Sequence, residues 1–268
     1  MHPVLEHILE RKDKSVPIDD GRRIALVLHS GAMRGVRSGG AMIALQDLGL
    51  SNTFDYIFTN SAGFPNACYL LSDQTRLGTS IYYEDLSGRN FIDFRNILMP
   101  WKVADINHLV ETMKTRKKLE VQKVLKAKTK LFLRLFNQDE KRPEYFKVND
   151  FQEEEFFKLM AAATSMKCIS QPVQIKGSNY RDGINNSDSH YSHTQQALSS
   201  DATDVLIIYN HPKNRTPLMQ SERYFEICPN PNWQLKRFET RSPLLRRAAR
   251  QMGNLVFETF GYNRRLKL

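Results

Sequence analysis

Ile24-Ala25-Leu26-Val27-Leu28 is an uninterrupted apolar run that ends directly in the small-residue segment Ser30-Gly31-Ala32-Met33-Arg34-Gly35. Five successive apolar residues leave no polar face for water, so the run predicts a strand covered on both sides, as in a parallel sheet. A helix is predicted over Ala41 to Leu48, stopped by Gly49. Tyr56-Ile57-Phe58 is a second short strand, and a helix follows over Ala62 to Leu71. Strand, helix, strand and helix joined by short connections define an α/β sheet. Further along, Leu131–Phe136 and Glu144–Val148 read as a hairpin around a polar turn, and Phe151–Met166 as a helix with acidic residues in its first turn. Val173–Ile175 and Asn179–Arg181 flank a Lys176-Gly177-Ser178 turn, and Val205–Tyr209 is another buried strand. The expected organisation is a charged arm over residues 1–22 and one domain over 23–268. No repeat or linker divides the chain.

Composition narrows the function classes. The chain has 268 residues, 41% of them hydrophobic, which supports a sizeable core and excludes general disorder. The net charge of +10 favours an anionic partner, lipid headgroup or nucleic acid, without choosing between them. Cys68, Cys168 and Cys228 are isolated from one another, so neither a disulfide framework nor a cysteine zinc site is expected, and a reducing compartment fits best. The first residues lack the continuous apolar core of a secretory signal, and no apolar run approaches the roughly 18 residues of a membrane span. A cytoplasmic location, with peripheral membrane contact at most, is the expectation.

Two strand-to-helix junctions carry the chemistry. Thr59-Asn60-Ser61-Ala62-Gly63 has the setting of a nucleophile elbow, whose tight turn pushes a serine hydroxyl out at the positive end of a helix. A serine helix cap at a strand end is the bland alternative. Ser30 to Gly35 follows the first strand, and in a parallel sheet both loops emerge at the same carboxyl edge. Gly31 leaves backbone N–H groups open to a ligand oxygen, the requirement of an oxyanion hole. A dinucleotide loop would need GxGxxG and an acid at the end of the second strand; here that strand ends Phe58-Thr59-Asn60. Asp182-Gly183 is a common turn pair, but a carboxylate there is also a candidate base for Ser61. A three-part triad would add a histidine, and His190 and His193 are nearest in sequence to Asp182; surface histidines are the commoner case.

Three segments in this order, Ser30–Gly35, Thr59–Gly63 and Asp182-Gly183-Ile184, resemble the patatin-like phospholipase family, with its GGxxRG loop, GxSxG elbow and DG[GA] motif. Ala162-Ala163-Thr164-Ser165 is similar to the small-residue helix before the family's DG strand. The resemblance covers roughly residues 22–210. It implies a three-layer fold, a central, mostly parallel sheet with helices on both faces. It also implies a Ser-Asp dyad, with Ser61 as nucleophile and Asp182 as base. Backbone amides of Gly31, Ala32, Met33 and Ala62 would form the oxyanion hole, with Arg34 and Gly35 bracing the loop. The implied reaction is hydrolysis of lipid carboxylic esters of the phospholipase A or lysophospholipase kind, with no metal or cofactor. Ser30, Thr59 and Ile184 depart from the family pattern, and Phe64-Pro65 follows the elbow where small residues are usual. A catalytically impaired lipid-binding or interaction protein on the same fold is the alternative.

Eight basic residues fall between Lys114 and Lys130, without the interleaved aromatics or reader motif of a nucleic-acid surface. A solvated helix face and attraction to anionic lipid both remain open for them. Residues 236–250 combine cations with apolar anchors, a pattern that suits a helix lying on a membrane or one packed on the domain. Nucleic acid is the least favoured partner.

Overall fold

The computed structural model describes all residues except 90, 97, 99–102, 168, 184–188 and 216–220, and the side chains of 189–192. In chain order the principal elements are α1 (Pro3–Glu10), β1 (Ile24–Leu28), α2 (Val36–Asp47), β2 (Tyr56–Thr59), α3 (Gly63–Leu71), α4 (Thr75–Glu84), α5 (Ile106–Lys114) and α6 (Val121–Leu125). They continue with β3 (Lys130–Asn137), β4 (Arg142–Lys147), α7 (Glu153–Thr164), β5 (Val173–Ile175), β6 (Ser178–Asp182), α8 (Ser189–Leu198), β7 (Asp204–Ile208), β8 (Tyr224–Ile227) and α9 (Ser242–Thr259). The predicted strands are present, and β8 adds one that the sequence pattern did not mark.

The strands form one sheet in the order β5-β6-β3-β2-β1-β7-β8, with β4 also paired to β3. β3, β2, β1, β7 and β8 run parallel, whereas β4 and β6 run antiparallel to β3. The apolar runs are needed because both faces are covered. Ile24, Leu26 and Leu28 of β1 join a large core with residues of α2, α3, α7 and α9, while Ala25 and Val27 join a second core with Ala197 of α8. The result is a mixed α/β fold with a mostly parallel central sheet and helices on both faces.

Two local features refine the expectation. α2 begins at Val36 rather than at the predicted Ala41, so Gly39 and Gly40 lie inside the helix. A Cβ on Gly40 would lie 2.1 Å from the Ala249 carbonyl oxygen, so the pair permits close contact between α2 and α9. The N-terminal arm contains α1, whose Val4, Leu5 and Ile8 enter the large core. Buried Arg11 closes this region with ion pairs to Asp20 at 2.6 Å and Asp55 at 2.7 Å. Its guanidinium holds the Asp20 carboxyl down to about 2.

Four of the eight basic residues in 114–130 are held in ion pairs. Lys114, Arg116, Lys117 and Lys123 pair with Glu111, Asp85, Glu84 and Glu120. Lys130 opens β3 at the amino-terminal edge of the parallel strands, away from their carboxyl edge. The apolar side of 242–259 faces the molecule, with Leu245, Ala248, Ala249, Met252 and Val256 buried. Among the described residues, no helix is long and apolar enough to cross a membrane.

Candidate active site

β2 delivers the chain to Ser61 at the carboxyl edge of the sheet. Ser61 has φ +48°, a left-handed conformation that a non-glycine residue adopts at a cost of about 1–3 kcal/mol and that recurs at functional sites. This is the strained turn predicted from the pentapeptide. A Cβ on Gly63 would approach the Leu28 carbonyl oxygen to 2.6 Å, which explains the need for glycine two positions after the serine. Two positions before it, Thr59 is accommodated because its Oγ1 turns aside and donates to the Phe132 carbonyl at 3.0 Å. Ser61 is only 3% exposed.

The loop after β1 contains the second strained residue, Ala32, at φ +50°. Among the described residues, the amides of Gly31, Ala32 and Ala62 donate to no protein acceptor. Met33 differs from the expectation: its amide donates to the Arg237 carbonyl at 3.1 Å, so it is not available as an oxyanion donor. Its side chain instead lines the cavity beside Ser61. Arg34 donates from Nε to the Leu235 carbonyl at 2.8 Å, which ties the loop to the segment that also holds Met33. Gly35 lies against the elbow, where a Cβ would come within 2.5 Å of Ala62 Cβ.

The register brings Asp182 to the same edge. β4 occupies one side of β3 along residues 132–137. The other side is shared end to end by β2, which stops at Thr59 opposite Leu133, and β6, which stops at Asp182 opposite Leu135. The carboxyl ends of β2 and β6 therefore point at each other across the level of Arg134. Asp182 is buried, and its amide donates at 2.9 Å to the carbonyl of Ser165. Ser165 stands between Thr164 and Met166, both of which line the cavity that holds Ser61. Arg134 is fully buried, and its guanidinium donates to the carbonyl of Gly183, fixing the turn directly after Asp182. Ile184 lies outside the described residues.

The cavity is apolar. Pro65, Tyr69, Ile81, Leu86, Leu109 and Met113 form much of its wall, and its volume is about 40 Å³. On this measure a water needs about 10–15 Å³, and a pocket known to accept benzene has about 150 Å³. The slot must widen for a bulky group. Met33, Met113 and Met166 in its wall are unbranched side chains that can rearrange to allow this.

His193 on α8 is buried, edge-on to His29 at 5.6 Å and stacked on Tyr145 at 6.3 Å between ring centres. His29 stacks in turn on Tyr209 at 4.5 Å. His193 thus belongs to an aromatic cluster beside the sheet's carboxyl edge, not to the solvated surface expected of it. The His190 side chain lies outside the described residues.

Sequence reasoning missed Arg37, Arg134 and Asn210. Arg37 is buried and, among the described residues, donates to the Asn210 and Trp233 carbonyls, and burial, reinforced by nearby Arg34, pushes its guanidinium down to about 10. The same cations and Lys213 add to burial in lowering His211 to about 4. The one available signal was position: Arg134 interrupts an apolar strand, and Asn210 ends one.

Residues 26–187, more than half of the chain, match the family model of patatin-like phospholipases. The chain belongs to that family. A solved structure, VipD from Legionella pneumophila, aligns over 88% of this chain and 67% of its own, with 11% identity and a TM-score of 0.49. A search of curated proteins finds no match.

Proposed function

We propose that the protein is a serine hydrolase of lipid carboxylic esters, with Ser61 as nucleophile and Asp182 as base. The observation that carries this reading is the strained Ser61 in the wall of an apolar slot, beside three amides that donate to no protein acceptor among the described residues. Ser61 Oγ attacks the ester carbonyl as its proton passes to the Asp182 carboxylate. The tetrahedral oxyanion is held by the amides of Gly31, Ala32 and Ala62, an arrangement whose donors contribute about 10²–10³ each in kcat. Collapse breaks the bond to the alcohol oxygen, which takes the proton from Asp182 and leaves. Water then attacks the acyl-enzyme, giving its proton to Asp182, and expulsion of Ser61 Oγ, which regains that proton, frees the fatty acid. The acyl chain occupies the slot.

The lipid surface is met at the rim of this slot. Phe91 lines the slot, and three residues on Phe94 is 49% exposed and packs edge-on against Phe238 at 5.7 Å. Lys236 and Arg237 are exposed beside Phe238, and the acidic neighbours Asp93 and Glu239 are already neutralised by Arg95 and Arg241. Apolar anchors flanked by cations that make no ion pair among the described residues suit an anionic interface, where each cation is worth about 1 kcal/mol.

Turnover of a short-chain ester and of phospholipid vesicles, in wild type and Ser61→Ala, tests the reading. Fatty-acid release by wild type and none by the variant is expected. A folded wild type that releases nothing from either substrate but binds vesicles would make the protein a lipid-binding relative.

A further inference from the structure

We infer that Asn210 is a positioning residue for the oxyanion amides, acting from the loop after a strand with no catalytic residue of its own. This role rests on the hydrolase reading. Asn210 follows β7, the neighbour of β1 on the side away from Ser61, and is fully buried. Every polar atom of its carboxamide is committed to the loop or to the first turn of the helix that follows it. Nδ2 donates to the His29 carbonyl at 2.5 Å and leans on that of Ser30 at 3.4 Å. Oδ1 accepts the Ser38 amide at 2.9 Å. These contacts grip both ends of the segment that displays the Gly31 and Ala32 amides.

The Ser38 contact replaces something the loop lacks. Ser38 is the third residue of α2, whose N-cap position is Gly35, with no side chain to accept an orphan amide. Asn210 supplies that cap from elsewhere in the chain. The packing is equally close: a Cβ on Gly31 would lie 2.8 Å from Asn210 Cβ, so the loop backbone rests directly on this side chain. The backbone of Asn210 is fixed in turn, since its carbonyl accepts Arg37 Nη1 at 2.8 Å.

The clamp continues to the slot. Ser38 Oγ donates to the Gly35 carbonyl at 2.9 Å, and Asn66 Nδ2 donates at 2.8 Å to both Ser38 Oγ and that same carbonyl. Asn66 is on α3, one turn past the elbow, and lines the slot. A buried polar chain therefore connects Asn210 to the wall beside Ser61 and sets the loop amides relative to the nucleophile. An oxyanion hole needs this, because its donors must match the position of the developing charge, and a misplacement of about 1 Å can cost about 10² in rate.

The test is kcat and KM for a soluble short-chain ester in wild type, Asn210→Ala and Asn210→Asp, with active sites titrated by a fluorophosphonate. Binding of a trifluoromethyl ketone that forms a tetrahedral adduct is measured beside binding of a non-reacting alcohol of the same chain. For Asn210→Ala, kcat per titrated site should fall about 10²-fold with KM within about threefold. The ketone should weaken in step with kcat while the alcohol does not. Asn210→Asp keeps the acceptor for Ser38 but loses the donor to His29 and Ser30, and should fall at least as far. Unchanged kcat per titrated site, with only the titratable fraction reduced, would overturn the positioning role and leave Asn210 a folding residue. A folded wild type without ester turnover or labelling would instead overturn the hydrolase reading, and this role with it.

Discussion

The two sides of the candidate site are built in opposite ways. On the nucleophile side everything is local: β2, the strained Ser61 and the start of α3 are consecutive, and strand, turn and helix force one another. On the acid side, Asp182 reaches the same edge only because β6 and β2 share one side of β3, with Arg134 of β3 holding the turn after it. Local strain can be read from spacing in a sequence. Register between distant strands cannot.

The largest effects should separate chemistry from framework on the two sides. Ser61→Ala should abolish ester turnover, and Asp182→Asn should lower kcat by about 10³-fold, the range of a lost general base, both with near-native melting. A melting loss in parallel with activity for Asp182→Asn would mean that the acid side is scaffold alone. Gly63→Val should prevent proper folding, since its first side-chain atom already meets the Leu28 carbonyl at 2.6 Å. Soluble expression and circular dichroism would check this. Thr59→Gly, at the other small position of the elbow, should by contrast leave kcat within about threefold and cost about 2 kcal/mol, from the lost bond to Phe132 and the added backbone freedom of glycine.

On the acid side, Arg134→Met should lower kcat by about tenfold or more, as the Gly183 carbonyl loses its donor and the turn carrying Asp182 relaxes. An unchanged kcat would show that β6 is held by its strand pairing alone.

The smallest effect concerns pH. His211 is held neutral down to about 4, so between its ordinary 6.5 and about 4 the unfolded chain binds a proton that the folded chain refuses. Stability present above pH 6.5 should therefore be lost progressively as the pH falls towards 4. The Lys213 amide donates to His211 Nδ1 at 3.1 Å, a bond that protonation removes. His211→Asn, which keeps a short acceptor, should show a flatter melting profile across that window.

Much of this was legible beforehand. The apolar runs identified β1, β2 and β7 because both faces of those strands are buried, and the elbow pentapeptide gave Ser61 because its turn tolerates few residues. Asp182-Gly183 became informative only as the third motif in order, since the dipeptide alone describes an ordinary turn. Met33 was misassigned because the fate of its amide depends on Arg237, some two hundred residues away. Asn210 and Arg134 carried no motif; their meaning comes from the strands beside them. The predicted helix begins at Ala41 and leaves out Gly39-Gly40, because a glycine pair marks a helix–helix contact only once the second helix, α9, is known.

The most direct measurement is the rate and location of fluorophosphonate labelling in wild type, Ser61→Ala and Asp182→Asn, read by peptide mass. Labelling on the Ser61 peptide, absent in Ser61→Ala and slowed by about 10³-fold in Asp182→Asn, is the predicted result. A label on another residue, or equal rates in wild type and Asp182→Asn, would contradict the pairing of Ser61 with Asp182.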